Sequence, residues 1–189
     1  MNGIIIINKP QGFTSQDVVS KTKKILNQKK AGHTGTLDPL ATGVLPVLLG
    51  NATKLSKYLI EHDKTYIAKI HLGQKTETGD SEGKIIEEKI VPELSVRKIE
   101  ETLNCFLGKQ MQLPPMYSAI KVNGKKLYEY AREGKTAEIP KREIEVYSIS
   151  LINFENSEIE FEVSVSKGTY IRTLCEDIAK CLGTVRIHE

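Results

Sequence analysis

Asp38 stands where groups capable of chemistry crowd together along this chain, in the stretch Ala31 to Leu45 (AGHTGTLDPLATGVL). Gly32, Gly35 and Gly43 carry no Cβ, so the backbone there can come close to a ligand. Pro39 fixes the chain just after Asp38 and biases Asp38 toward an extended conformation. His33 lies five residues before Asp38, Thr34, Thr36 and Thr42 supply short polar groups, and Leu37 and Leu40 are apolar neighbours. A carboxylate held on a stiff loop in such surroundings can act as a nucleophile or a general base. Two other readings stay open from the residues alone. Asp-Pro and glycine-rich stretches also build plain surface turns. Gly32-His-Thr-Gly35 has the spacing of a GxxG clamp on RNA backbone, although the helix–helix setting of such clamps is missing.

Other chemistries find no support. The sequence has no GxxxxGK[ST] phosphate loop, no GxGxxG after a strand, no GxSxG elbow and no HExxH pair. Cys105, Cys175 and Cys181 form neither a CxxC pair nor a Cys/His cluster, so no zinc site is expected, and an odd number of cysteines suits reduced thiols in the cytosol. No apolar run approaches the ~20 residues of a membrane helix. Charge is informative by its distribution. Residues 1–30 hold six lysines against Asp17 alone, and residues 96–135 hold eight Lys/Arg against four acids. Two basic segments in a chain of net charge +3 could form a surface for a polyanion, or simply solvate two helices.

The elements that must position Asp38 read as α+β, with a mainly antiparallel sheet flanked by helices and a single domain over residues 1–189. Gly3 to Ile7 predicts a buried strand. A helix follows to about Asn27, capped by Thr14 or Ser15 and burying Val18, Thr22, Ile25 and Leu26. Val44 to Leu49 is an apolar run, and Asn51 to Ile60 a helix with Leu55, Leu59 and Ile60 inward. Thr65–Leu72 and Lys84–Val91 predict strands joined through Thr78–Gly83. Ser95 caps a helix from Val96 to Leu107 that buries Ile99, Leu103, Phe106 and Leu107 and stops at Gly108. Tyr117–Val122 alternates as a strand into the tight turn Asn123-Gly124, and a short basic helix spans about Lys125 to Glu133. Strands at Glu143–Phe154 and Glu158–Val165 follow. In the second, Glu158, Glu160 and Glu162 alternate with Ile159, Phe161 and Val163, a solvated face over a buried one. Thr173 and Glu176 have capping-box spacing for a last helix ending at Gly183.

Gly32 to Leu45 closely resembles the active-site motif of the TruB family of bacterial tRNA pseudouridine-55 synthases. Asn8-Lys-Pro-Gln-Gly12 resembles that family's Lys-Pro motif, and Asp63-Lys-Thr-Tyr66 its tyrosine motif. Met116 to Lys121 and Gly124 to Arg132 resemble its RNA-gripping insertion, around residues 110–142. Ser166 to Thr173 resembles its arginine motif. Five motifs in order cover nearly the whole chain.

The resemblance implies the pseudouridine synthase fold and isomerisation of the T-loop uridine of tRNA, with Asp38 as the nucleophile. The bond between uracil N1 and the ribose is broken, and the base rotates and rejoins through C5. Attack on the base, attack on the sugar and elimination all remain open as the first step. No metal or organic cofactor is implied, since the reaction is an isomerisation. Tyr66 would stack on the flipped uracil with its hydroxyl placed for proton transfer. Arg172 would pair with Asp38, orient the carboxylate and favour its charged form. Tyr170, two residues earlier on the same strand face, would line the uracil pocket. His33 would support the flipped nucleotide or fill the space it leaves, and Lys9 would support the site or meet backbone. Lys121, Lys125, Lys126 and Arg132 would hold RNA phosphates. The implied partner is the T-stem-loop of tRNA, with no membrane and no protein partner, for a cytoplasmic monomer.

Family members usually continue past the position matching Gly183 and add a C-terminal RNA-binding domain. The resemblance therefore predicts a catalytic domain cut short at Glu189. A chain that binds and folds tRNA without modifying it is the alternative function.

Overall fold

The computed structural model describes residues 1–77, 83–118, 120–122, 124–135 and 138–188, apart from the side chains of Arg132 and His188. The Thr78–Gly83 turn falls mostly outside the described residues, as does Asn123 of the Asn123-Gly124 turn. The chain forms two compact units, residues 1–62 and 63–189. Among the described residues, no helix is long and apolar enough to cross a membrane.

In the first unit, alternation decides the strand. Ile5 and Ile7 of β1 (Gly3–Lys9) face inward, while Ile4 and Ile6 face outward. Helix α1 (Ser15–Ile25) follows, then β2 (Ala31–His33) and β3 (Gly43–Leu49). The sheet order is β1-β3-β2, antiparallel throughout, with Ile5 opposite Val47 and Ile7 opposite Leu45. Val18 and Val19 of α1 close the core over Leu45, Val47 and Leu49. Thr14 caps α1: its hydroxyl accepts the Asp17 N–H while the Asp17 carboxylate accepts the Thr14 N–H. Ile25, expected on the buried side, is the last residue of the helix and is 71% exposed. Residues 51–60 form a 3₁₀ turn (Gly50–Leu55) and a single turn of helix, α2 (Ser56–Leu59). Leu55 and Ile60 are exposed, so the expected inner face does not form.

The second unit is built on a five-stranded antiparallel sheet. Its strands are β4 (Lys64–Leu72), β7 (Gly108–Gln112), β10 (Arg142–Glu155), β11 (Glu158–Val165) and β12 (Arg186–His188), in the order β12-β4-β11-β10-β7. Helices α3 (Val96–Asn104) and α5 (Ile171–Cys181) cover one face, burying Ile99, Leu103, Leu174 and Ile178 against Ala68, Ile70, Ile159, Phe161 and Val163. On the opposite face Glu158 pairs with Lys69 and His71 at 3.6 and 3.0 Å, as the alternating glutamates of β11 require. The predicted strand at 84–91 is reduced to β6 (Ile85–Glu88). It pairs with β5 (Gln74–Thr76) in a ribbon of two strands.

Ser95 caps α3 as expected, but Leu107 lies past the helix end and is exposed. Gly108 takes φ +88°, a backbone conformation open to glycine, and turns the chain into β7. Tyr117–Val122 does not run as one strand. Among the described residues of this stretch, β8 (Lys121–Val122) alone pairs as a strand, with β9 (Lys125–Lys126), before α4 (Leu127–Arg132). Helix α5 begins at Ile171, so Thr173 lies inside it and Tyr170 takes the cap position without a side-chain cap of its own.

Candidate active site

Asp38 is half-buried, and the chain on each side of it is fastened. Before it, the Leu37 N–H donates to Ser15 Oγ at 2.9 Å, and the Ser15 hydroxyl donates to the Leu37 carbonyl at 3.3 Å. After it, the Pro39 carbonyl accepts the Gly12 N–H at 2.9 Å and Lys9 Nζ at 3.0 Å. The Ala41 N–H closes a turn onto the Asp38 carbonyl at 3.1 Å. Thr14 takes the capping duty of α1, which leaves Ser15 to grip the loop.

Lys9 is fully buried at the end of β1. Its ammonium donates to three carbonyls, those of Pro10 at 3.0 Å, Phe13 at 2.6 Å and Pro39 at 3.0 Å. Burial lowers its pKa from the ordinary lysine value, and the charge of Asp38 opposes that shift. The geometry places the Lys9 ammonium on the protein's own backbone, beside the residue that follows Asp38. His33 ends β2 opposite Val47, and its Nδ1 is buried without a hydrogen bond.

In the second unit Tyr66 lies on β4 opposite Val163, half-buried and packed against the main core. Tyr170 and Arg172 do not share a strand face as expected. Tyr170 precedes α5 and Arg172 is its second residue, because the chain turns helical two residues early. An Arg172 guanidinium nitrogen donates to the Tyr117 carbonyl at 3.0 Å, and Arg186 donates to the Arg172 carbonyl. Gln112, absent from the sequence reading, holds both backbone groups of Tyr170 at 2.8 and 3.1 Å. No local pattern marks it, since a glutamine at a strand end reads as solvated.

Two of the basic residues of the insertion, Lys125 and Lys126, are already engaged. Lys121 lies opposite Lys126 across the β8–β9 pair and is exposed. Lys125 sits 5.0 Å from the Tyr130 ring centre and is ion-paired with Glu133, whose other oxygen is 3.1 Å from Lys135. The hydrogen bond to Glu133 raises the Lys125 pKa, and the same bond lowers that of Glu133. Lys126 lies 5.2 Å from the Tyr128 ring centre and donates to its hydroxyl at 3.2 Å. Lysines laid over tyrosines on a small hairpin suit a surface that meets phosphates and bases together. Arg132 belongs to α4, but its side chain lies outside what is described.

Two other features draw no role. A cavity of about 230 Å³ beside α5 is lined by Lys75, Glu176, Lys180 and Arg186 among others, and Glu176 takes up both lysines. Burial pushes the Cys175 thiol up to about 12, so it packs rather than reacts.

The structure is similar to solved structures across almost its whole length. It matches a crystal structure of a Cbf5–Nop10–Gar1 complex with a TM-score of 0.77 and 34% identity, over 99% of this chain and 46% of that one. It also matches an H/ACA RNP bound to a substrate RNA containing 2'-deoxyuridine, with a TM-score of 0.72 and 32% identity, over 99% and 45%. The fold is therefore that of the pseudouridine synthases. Residues 23–171 match the family model described as TruB family pseudouridylate synthase (N terminal domain), and the chain belongs to that family. Among its relatives are two proteins named tRNA pseudouridine synthase B. That of Hydrogenovibrio crunogenus is 52% identical over 98% of this chain, and that of Francisella philomiragia 51% over 97%. The chain spans 61% of the length of each.

Proposed function

We propose that residues 1–189 act as the catalytic domain of a cytosolic tRNA pseudouridine synthase that isomerises the T-loop uridine at position 55. The observation that carries this reading is the double fastening of the Asp38 loop, through Ser15 on one side and Lys9 and Gly12 on the other. A nucleophile gains rate when its approach is fixed beforehand, and a loop held at both flanking peptides provides that. Family membership and the names of the relatives support the same chemistry.

In this reading Asp38 attacks, Arg172 orients its carboxylate, and Tyr66, Tyr170 and His33 receive the extruded nucleotide. The glycosidic bond to N1 breaks, the base turns, and C5 bonds to the sugar; the bond made by Asp38 is released, C5 loses its proton to solvent and N1 takes one up. Electrons and atoms balance without redox chemistry, so no cofactor is called for. Extruding a base costs a few kcal/mol, and stacking on a tyrosine such as Tyr66 returns about 1–3 kcal/mol. Phosphate contacts from Lys121, Lys125, Lys126 and Arg132 supply the rest.

The test is tritium release from a tRNA transcript labelled at uridine C5. Release by the chain is expected, with none by Asp38→Ala and a loss on the order of 10³-fold or more for Asp38→Asn. Binding of tRNA by Asp38→Asn stays close to that of the parent. No release from either protein while tRNA is retained on a filter would replace this reading with a tRNA-binding and folding role.

A further inference from the structure

Gln112 closes β7 with its side chain buried, only 4% of the residue being exposed. A buried carboxamide costs free energy unless both its ends are hydrogen-bonded. Here both ends go to one residue. Nε2 donates to the Tyr170 carbonyl at 3.1 Å, and Oε1 accepts the Tyr170 N–H at 2.8 Å. The two bonds reproduce what a neighbouring strand would give Tyr170, at the point where the chain leaves extended structure for α5. Tyr170 is the cap residue of that helix and has no side-chain cap, and its carbonyl also accepts the first-turn N–H of Leu174 at 3.1 Å. Five residues beyond Gln112, the Tyr117 carbonyl accepts the Arg172 guanidinium at 3.0 Å. The start of α5 is thus gripped at two points by the segment that leads into the β8–β9 hairpin.

We propose that Gln112 is a positioning residue: it fixes the backbone of Tyr170, and through the first turn of α5 the guanidinium of Arg172, for the reaction without touching substrate. The proposal rests on the uridine-isomerising reading above. Tyr170 brings a ring and Arg172 a cation to that chemistry, and Gln112 holds the two peptide groups on either side of the Tyr170 Cα, the second of which leads into the turn that carries Arg172. A shift of about 1 Å in such groups can cost on the order of a hundredfold in rate.

Gln112→Met keeps the length of the side chain and removes both hydrogen bonds. Three readouts decide its meaning: steady-state turnover of tRNA, the melting temperature, and hydrogen exchange at the Tyr170 amide. The expected result is a kcat lower by about tenfold to a hundredfold, a KM for tRNA within about twofold of the parent, and faster exchange at Tyr170 in a protein that is still folded. A kcat unchanged while the Tyr170 amide is freed overturns the proposal, as does a loss of activity that merely follows the folded fraction. Should Gln112→Met unfold, Gln112→Glu carries the decision. Its carboxylate still accepts the Tyr170 N–H, so a kcat-selective loss of about threefold to tenfold is expected, and an unaffected kcat overturns the role. An inactive parent chain would overturn the uridine reading and this role with it. An active parent with unaffected variants removes only the role of Gln112.

Discussion

Lys9 Nζ lies 3.0 Å from the carbonyl oxygen of Pro39, the residue that follows Asp38. The two residues are thirty positions apart, and the same ammonium holds the carbonyls of Pro10 and Phe13. A buried cation with three carbonyl acceptors works as a fixed knot, joining the end of β1 to the loop that carries Asp38. Its charge is tolerated because three oxygens replace the water it has lost.

Replacing Lys9 by methionine therefore leaves the carbonyls of Pro10 and Phe13 without this donor and removes one of the two donors that hold the Pro39 carbonyl beside Asp38. We expect Lys9→Met to lose about 2–4 kcal/mol of stability, and to lose turnover beyond what the folded fraction explains. Urea denaturation and a single-turnover assay check the two parts. A stability change near zero would show that the knot holds nothing.

The insertion lysines make the second prediction. In the proposed function Lys125 and Lys126 meet RNA phosphates and release their counterions, a contribution that weakens as salt rises. Replacing both by alanine is expected to weaken tRNA binding and to flatten the plot of log K against log salt by about one to two units. Filter binding between 50 and 300 mM salt, taken as roughly the useful range, reads the slope. An unchanged slope would mean that phosphates meet other residues.

Glu176 gives the chain a pH dependence of known sign. Burial pushes its carboxyl up, but hydrogen bonds and charge from Lys75 and Lys180 outweigh burial and hold it below the ordinary 4.5. A carboxyl depressed in the folded state stabilises the protein above its unfolded value, and that contribution disappears as pH falls through the folded value. Glu176→Gln should cost about 1 kcal/mol or less at pH 7, once solvent screening of these partly exposed groups is counted. The gap between parent and variant should close below 4.5. Thermal unfolding from neutral to acid pH follows it, and a gap that widens in acid contradicts the assignment.

Phe161 anchors the main core with no exposed surface. Phe161→Ala removes a ring from between α5 and the sheet and should cost about 3–5 kcal/mol, measured by denaturant unfolding. A cost below about 1 kcal/mol would mean the core closes over the cavity.

Much of this molecule is set by neighbours in the sequence. The glutamates of β11 alternate with Ile159, Phe161 and Val163, and the strand appears with those three fully buried. Ser95 and the apolar spacing behind it produce α3, and the isoleucine run produces β1. Periods of two and of three to four residues compare groups only a turn or a pleat apart, so the code is local. It fails where packing arbitrates. Residues 51–60 have a helical pattern but form a 3₁₀ turn and one turn of helix with Leu55 and Ile60 exposed, and among the described residues of 117–122 the strand is Lys121–Val122.

The chemistry divides in the same way. The residue types around Asp38, the glycines that let its backbone approach a ligand and the proline that stiffens its loop can be read from the sequence, as can the family resemblance. What holds that loop, and what holds the start of α5, cannot. Ser15 meets Leu37 across 22 positions, Lys9 meets Pro39 across 30, and Gln112 meets Tyr170 across 58. Each is a polar side chain pairing with backbone, and backbone groups carry no residue identity for a sequence pattern to reveal. Only when the chain has folded back on itself, and water has left, does each of these groups have to find the partner that the tertiary structure puts beside it.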